Sequence, residues 1–250
     1  MAEEKKERRF RWSRESIAWY ERAVEYTGYN QVIWRLVATQ FHSGDTVCEV
    51  ACGTGSLART IAPHVKHLTA NDMDENALAY LEREIEKKRI ENITIEKGDW
   101  KHVCAGKKFD ILLFQQFSAF LNDWDLLEQT ADRTILAILP SAEDCFRGPA
   151  NTETKAELPV TAKKGSREHW ESAADFLEKK GIAYKAIPFE VDFGQPFINL
   201  EEAFSYYRHY YGAHLTEREL REMADRQLQP APCGLYLPKN KKLGVIIANL

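Results

Sequence analysis

The feature that most constrains the fold is a glycine-rich turn between a β-rich run and a helical segment. Residues 46–51 form the β-rich run, Cys52-Gly53-Thr54-Gly55 follows it, and residues 56–65 have a helical pattern. Glycines let the backbone turn tightly and approach a ligand without a Cβ in the way. The next helix presents unpaired N–H groups at the same point. In open α/β sheets, ligands bind at this end of the strands, so the turn predicts a ligand site.

Strand-like and helical segments alternate along most of the chain. The continuous apolar run 109–114 is typical of a strand buried on both faces, whereas residues 75–89 carry apolar residues at helical spacing. Alternation of this kind indicates βαβ units with right-handed crossovers. We therefore expect an α/β fold with a doubly wound, Rossmann-like, mostly parallel seven-stranded sheet. The predicted strands are residues 46–51, 67–71, 93–96, 109–114, 134–139, 183–191 and 243–249.

Further segments lie outside this alternation. Residues 13–41 have helical spacing with a break at Thr27-Gly28-Tyr29, and two more helices are predicted near residues 200–211 and 216–227, before the last strand. Asp74 and Thr216 are expected helix N-caps, and Gly181 is expected to end the helix 168–180. The sheet is therefore predicted to carry N-terminal helices and a helical insertion before its last strand.

Composition excludes several classes of protein. The net charge is −4 for 250 residues, so no global positive field favours nucleic acid or an anionic membrane. No apolar run approaches the roughly 18 residues of a membrane span, and the charged N-terminus does not resemble a secretory signal. The five cysteines form no tight framework, so we expect reduced thiols and a cytoplasmic protein. No CxxC, HxxxH or HExxH motif supports a metal site.

The residues around the turn resemble a known family. Read alone, Gly53-x-Gly55-x-x-Ala58 also matches a dinucleotide fingerprint, which is a weak signal by itself. The acid Glu49 would repel a pyrophosphate but suits a cationic amino-acid ligand. The segment 49–56, EVACGTGS, resembles the first motif of the class I S-adenosylmethionine-dependent methyltransferases. One departure is Ala51, which stands where a first glycine is commoner in that family.

The resemblance implies a cofactor site for S-adenosylmethionine, whose product is S-adenosylhomocysteine. In the family, an acid at the position of Asp72 binds both ribose hydroxyls, an apolar residue such as Met73 packs on the adenine, and Asp99 accepts from the adenine amino group. The backbone of Trp100 is expected at the adenine and Gln115 beneath the methionine moiety. The cofactor-binding residues implied are Glu49, Ala51, Cys52, Gly53, Gly55, Asp72, Met73, Asp99, Trp100 and Gln115.

The sequence says less about the methyl acceptor than about the cofactor. Gln115-Gln116-Phe117-Ser118 follows the fourth predicted strand, where amino-group methyltransferases acting on adenine or on protein glutamine usually carry an Asn/Asp-Pro-Pro-aromatic run. Cys104 and Cys145 lack the Pro-Cys setting of cytosine-C5 enzymes, and no basic nucleic-acid face is present. We therefore expect a small-molecule methyl acceptor, no membrane and no nucleic-acid partner, and a monomer or homodimer.

Aromatic residues are concentrated in two stretches. More than half of the 28 rings lie in residues 10–41 and 193–211. The resemblance implies a lid and an acceptor pocket in these segments. The acceptor is therefore expected to be partly apolar or aromatic. Tyr207, Tyr210 and Tyr211 share a helical spacing, and packing onto the sheet remains the alternative interpretation of these rings. Substrate-pocket candidates are Tyr20, Tyr29, Tyr206 and Tyr210. Catalytic candidates are His209, Tyr207 and Gln115.

The expected organisation is a single methyltransferase domain over residues 1–250. Its expected parts are an N-terminal helical lid (1–44), a cofactor-binding core (45–139), a loop insertion (140–167) and a helical substrate-pocket insertion (192–232). Three alternatives remain open at this level: a non-catalytic cofactor-binding protein, a protein or RNA methyltransferase, and an NAD-dependent oxidoreductase.

Overall fold

The computed structural model describes residues 11–117, 121–146 and 168–250. Ten strands in these residues form two sheets. They are β1 (Thr46–Val50), β2 (His67–Asp72), β3 (Ile93–Lys97), β4 (Phe109–Gln115), β5 (Ala131–Pro140), β6 (Tyr184–Asp192), β7 (Gln195–Phe197), β8 (Gln229–Ala231), β9 (Gly234–Leu237) and β10 (Asn240–Asn249). The larger sheet has seven strands in the order β3-β2-β1-β4-β5-β10-β6. Only β10 runs antiparallel to its neighbours, which confirms the predicted doubly wound, mostly parallel sheet.

Ten α-helices accompany the sheets within the described ranges. They are α1 (Arg14–Thr27), α2 (Tyr29–Val37), α3 (Ser56–Ile61), α4 (Glu75–Lys88), α5 (Trp100–Val103), α6 (Trp124–Thr130), α7 (Ala142–Phe146), α8 (Trp170–Lys180), α9 (Leu200–Tyr211) and α10 (Glu217–Gln227). The apolar face of α2, α3 and α4 packs on one side of the larger sheet, and that of α5, α6 and α8 on the other. None of the helices in the described part of the chain is long and apolar enough to cross a membrane.

The helix ends follow from the capping residues. Asp74 accepts hydrogen bonds from the N–H groups of Asn76 and Ala77 at the start of α4, and Thr216 forms a capping box with Glu219 at the start of α10. Gly28 takes a left-handed conformation, with φ of 64°, and separates α1 from α2. These positions confirm the expected break at residues 27–29 and the expected N-caps.

The insertion before the last strand contains more than helices. Besides α9 and α10, it forms a three-stranded antiparallel sheet in the order β7-β9-β8, which the sequence did not predict. Strand β10 begins at Asn240, three residues before its predicted start, and β5 begins at Ala131 rather than at residue 134. Most of the predicted loop insertion 140–167 lies outside the described residues, and Ala142–Phe146 within it is helical.

The two aromatic stretches pack against each other. Helix α1 lies against β7, and the ring centroids of Trp19 and Tyr206 are 5.3 Å apart. Phe193 lies 4.6 Å from the ring of Tyr29 and 5.7 Å from that of Tyr20. The N-terminal helices and the insertion therefore form one aromatic cover over the carboxyl ends of the central strands.

Candidate active site

The turn after β1 is built from residues in left-handed conformations. The φ angles are 54° at Ala51, 56° at Gly53 and 65° at Gly55. The Cys52 N–H donates to the Asn71 carbonyl at 2.8 Å and so ties the turn to the end of β2. Left-handed φ is unfavourable for residues with a Cβ. The conformation of Ala51 therefore explains why a glycine would suit this position better.

The two glycines of the turn are held by close neighbours. A Cβ on Gly55 would lie 2.5 Å from the side chain of Leu81 in α4, and one on Gly53 would lie 3.2 Å from the ring of Trp12. The turn is thus clamped between α4 and the segment that precedes α1. Its conformation depends on glycine for space as well as for φ.

Asp72, the last residue of β2, faces the turn. Its Oδ2 accepts from the Gly53 N–H at 2.7 Å and its Oδ1 accepts from the Asp74 N–H at 2.8 Å. A carboxylate offers about four acceptor positions, so both oxygens keep capacity for a ligand. The side chain lines the cavity described below.

Glu49 lies in β1 beneath the turn and is fully buried. Within the described residues, neither carboxyl oxygen has a hydrogen bond of standard geometry. Burial raises the pKa of Glu49 to about 8, and the negative charge of Asp72 adds to the shift, whereas the nearby Ala58 N–H and Arg59 oppose it. An unpartnered buried carboxyl group is costly. A cationic ligand group close to the turn would relieve that cost.

A cavity of about 460 Å³ opens beside the turn. Its lining comes from the turn, β2, the end of β4, the N-terminal segment, the insertion and β10. The lining residues are Trp12, Tyr20, Ala51, Cys52, Gly53, Thr54, Asp72, Gln115, Gln116, Phe193, Gln195, Tyr206, Tyr210 and Lys241. The cavity thereby brings together eight of the residues that the sequence singled out: Tyr20, Ala51, Cys52, Gly53, Asp72, Gln115, Tyr206 and Tyr210.

The N-terminal segment covers the glycine turn. The Trp12 N–H donates to Asp74 at 3.0 Å and its carbonyl accepts from Asn76 at 2.8 Å, which anchors the residue to the start of α4. The Trp12 ring packs edge-on against Tyr20, with centroids 5.2 Å apart. Two aromatic side chains thus separate this part of the cavity from solvent.

Other predicted cofactor residues lie around the cavity without lining it. Met73 is 50% exposed and follows Asp72. Asp99 caps α5 by accepting from the Lys101 N–H at 3.0 Å. Trp100 is buried, with its ring 6.1 Å from that of Phe114. The Gly98 N–H donates to the Asp72 carbonyl at 3.0 Å, so the turn that carries Asp99 stays next to the end of β2.

The three catalytic candidates have different surroundings. Gln115 lines the cavity, and its Nε2 is buried with no partner of standard geometry among the described residues. Tyr207 is fully buried against Leu220 and Ala224 of α10, and burial raises its pKa. His209 is exposed, and its ring lies edge-on to that of Trp19, with the two ring centroids 5.4 Å apart. Neither Tyr207 nor His209 lines the cavity.

The aromatic pocket candidates also differ in whether they face the cavity. Tyr206 and Tyr210, one helical turn apart in α9, face the cavity with ring centroids 4.6 Å apart. Tyr29 is buried below Phe193; its hydroxyl accepts from Gln116 at 2.8 Å, and burial raises its pKa to about 12. Sequence reasoning missed Gln116, Gln195 and Lys241 as lining residues. Only the polar start of the last strand could have pointed to Lys241.

Comparison with known proteins agrees with this geometry. Residues 47–134 match the family model described as a methyltransferase domain. The matched residues include the glycine turn and Asp72, the part of the chain where the sequence resembles the class I, S-adenosylmethionine-dependent methyltransferases. No curated protein matches the chain in sequence at a significant level.

Solved structures share the fold at low sequence identity. A putative methyltransferase from Bacillus halodurans is 16% identical with a TM-score of 0.55, over 89% of this chain and 98% of its own. Precorrin-6y C5,15-methyltransferase from Geobacter metallireducens is 8% identical with a TM-score of 0.54, over 88% of each chain. Precorrin-8w decarboxylase from Methanobacterium thermoautotrophicum is 13% identical with a TM-score of 0.53, over 89% and 90%. These likenesses concern the fold alone.

Proposed function

We propose that the protein transfers a methyl group from S-adenosylmethionine to a small, partly apolar or planar acceptor. The observation that carries this proposal is a single cavity with two chemically different ends. Asp72 and the glycine turn form one end, and Phe193, Tyr206 and Tyr210 form the other. A cavity of about 460 Å³ is in the range of small-ligand sites.

The cofactor end fits a ligand that carries a diol and positive charge. Asp72 would accept from the two ribose hydroxyls, since its oxygens keep free acceptor positions. Glu49 offers two buried, unpartnered oxygens beneath the turn to the amino group of the methionine moiety. Met73, Asp99 and Trp100 border Asp72 where the resemblance implies the adenine.

The same acids argue against a dinucleotide. The pyrophosphate of NAD needs backbone N–H groups and an environment without negative charge at the turn. Here the Gly53 N–H is already donated to the Asp72 carboxylate, and Glu49 lies below. Electrostatic repulsion between the Asp72 carboxylate and a pyrophosphate therefore favours the methyltransferase over the oxidoreductase.

The chain's own residues would act mainly by alignment and by excluding water. When bound, the cofactor would supply an electrophilic methyl group: an acceptor nucleophile would bond to the methyl carbon, in line with the breaking carbon–sulfur bond, as S-adenosylhomocysteine leaves. Trp12 and Tyr20 cover the cofactor end. The acceptor end is lined by Phe193, Tyr206 and Tyr210. Holding two reactants in a shielded, fixed geometry contributes several kcal/mol to such reactions, roughly 7–11 in favourable cases.

Thermal unfolding with added ligands tests this proposal. A ligand at about 100 times its Kd stabilises the folded state by roughly 2.7 kcal/mol, or about 5–10 °C for a chain of this size. We expect S-adenosylhomocysteine to raise the Tm by that amount and NAD to leave it unchanged. A shift with NAD and none with saturating S-adenosylhomocysteine would overturn the proposal in favour of the oxidoreductase. Methylation of acceptors from a small-molecule library then distinguishes an enzyme from a cofactor-binding protein.

A further inference from the structure

Lys241 places a cation inside the cavity. The residue lies near the start of β10 and lines the cavity together with Gln115 and Gln116. Its Nζ is 3.8 Å from the ring centroid of Phe193 and 5.3 Å from that of Tyr29. Contacts with two aromatic faces favour the charged ammonium. The group thus sits on the aromatic wall, where an acceptor would bind.

No carboxylate pairs with this ammonium among the described residues; its hydrogen-bond contact is with Gln116 Oε1 at 3.5 Å. The adjacent Lys242 is different, because its Nζ lies 2.8 Å from Glu143. Burial lowers the pKa of Lys241 to about 7, the charge of Lys239 adds to the effect, and Asp144 opposes it. Lys241 is partly exposed, and a partly buried cation without a counter-ion gains more than a fully exposed one from an anionic partner.

The position of Lys241 in the sheet assigns it to the acceptor end. Asp72 ends β2, and Lys241 is the second residue of β10, which lies four strands away in the order β2-β1-β4-β5-β10. Because β10 is antiparallel to β5, its first residues lie at the carboxyl ends of the parallel strands. The cavity therefore has a carboxylate at one end and an ammonium at the other.

We propose that Lys241 recognises a carboxylate on the methyl acceptor, and that the acceptor is a planar aromatic acid. The rings of Phe193, Tyr206 and Tyr210 supply the apolar wall for the planar body. A negative acceptor also balances the charge of a cationic cofactor in the same cavity. This inference rests on the proposed function, because it names the substrate class of that site.

Calorimetric titration of the protein saturated with S-adenosylhomocysteine tests the assignment. The probes are benzoate, salicylate and cinnamate, each compared with its carboxamide. We expect the carboxylates to bind at least tenfold more tightly than the amides. Lys241→Met should remove that preference, Lys241→Arg should keep much of it, and amide binding should change less than twofold. Lys242→Met is the matched control, since it removes the neighbouring charge, which faces Glu143, and should behave as the unmodified protein.

Three results would overturn the inference. One is equal binding of carboxylates and amides, or no binding of either, by a protein that does bind S-adenosylhomocysteine. Another is unchanged carboxylate binding by the Lys241→Met variant. The third is a tenfold or greater loss of S-adenosylhomocysteine affinity in Lys241→Met, which would mean that Lys241 holds the carboxylate of the cofactor itself. Failure of the unmodified protein to bind S-adenosylhomocysteine would instead overturn the proposed function.

Discussion

The two ends of the cavity are built by different means. At the end formed by the glycine turn, the backbone sets the geometry: three left-handed residues at alternate positions, Ala51, Gly53 and Gly55, lie beside the acids Glu49 and Asp72. At the other end, side chains from separate segments meet. Phe193, Tyr206 and Tyr210 come from the insertion, and Lys241 comes from β10.

The two ends therefore differ in how freely their residues can change, and so in how far ligand specificity can vary at each end. A backbone turn accepts few residue types, so the cofactor end is constrained by conformation and by local acids. A wall of side chains can change its shape and charge while the fold is kept. We therefore expect substitutions at the turn to affect folding and cofactor binding together, and substitutions at the aromatic end to affect acceptor binding alone.

The largest effect is expected from Asp72→Ala. The substitution removes both proposed charge-assisted hydrogen bonds to the ribose, so S-adenosylhomocysteine affinity should fall about 100- to 1000-fold, measured by calorimetry. Because Asp72 also accepts from the N–H groups of Gly53 and Asp74, Asp72→Asn provides a second variant that disturbs the turn less. Glu75→Gln, an exposed neighbour paired with Lys97, should bind normally. Unchanged affinity in both Asp72 variants would mean that the ribose is bound elsewhere.

Glu49→Gln should change how stability depends on pH. Burial raises the pKa of Glu49 in the folded protein to about 8, whereas an unfolded Glu has a pKa of about 4.3. The folded state therefore binds more protons between these values, and its stability falls as pH rises from about 4.5 through 8. The variant should lose this part of the slope and be more stable at pH 8, by about 4–5 kcal/mol.

Urea unfolding at pH 6, 7 and 8 measures this effect. Glu75→Gln serves as the control, because Lys97 lowers the pKa of Glu75 and this exposed group titrates below the pH range used. The control should keep the slope of the unmodified protein. Parallel pH profiles for the unmodified protein and Glu49→Gln would contradict the placement of a buried, unpartnered carboxyl group beneath the turn.

Gly55→Ala should destabilise the turn through both strain and packing. The φ angle is 65°, and the added Cβ would lie 2.5 Å from Leu81, so the free energy of unfolding should fall by about 2–3 kcal/mol. Gly106→Ala is a matched comparison. Its φ is 71°, yet nothing lies within 4 Å of its Cβ position, and only the strain of about 1 kcal/mol should remain. Equal losses in the two variants would show that Leu81 does not clamp the turn.

Tyr207→Phe should have the smallest effect. The Tyr207 hydroxyl is buried and, among the described residues, has no partner, so its removal should leave stability unchanged or raise it by up to about 1 kcal/mol. Acceptor binding and S-adenosylhomocysteine binding should stay the same, because the residue packs against α10. A loss of methyl transfer in a stable Tyr207→Phe variant would restore this residue as a catalytic candidate.

Sequence patterns predicted most of the sheet because its strands are long apolar runs bounded by turns. The small sheet of the insertion was missed for physical reasons. Its strands β7, β8 and β9 have only three or four residues, and Pro196 and Pro230 within them argue against a ladder. Such strands are set by packing against α1 and by their partners, which local sequence does not encode.

The candidate site also contains residues that local sequence predicted and residues that it did not. The turn and Asp72 were predicted because backbone conformation and a strand end fix their place. The interpretation of α9 was less complete. Helical spacing grouped Tyr207 with Tyr210, whereas Tyr206 and Tyr210 face the cavity and Tyr207 packs on α10. Lys241 was missed because its contact with the ring of Phe193 joins two segments far apart in sequence, the start of β10 and the residue after β6.

A crystal structure with S-adenosylhomocysteine bound would show which ligand group each end of the cavity holds. We expect the ribose hydroxyls within hydrogen-bond distance of Asp72 and the homocysteine moiety next to the turn and Gln115. The space between Phe193, Tyr206, Tyr210 and Lys241 should then remain open for the acceptor. A ligand seated among those rings, or with its carboxylate on Lys241, would contradict the assignment of the two ends.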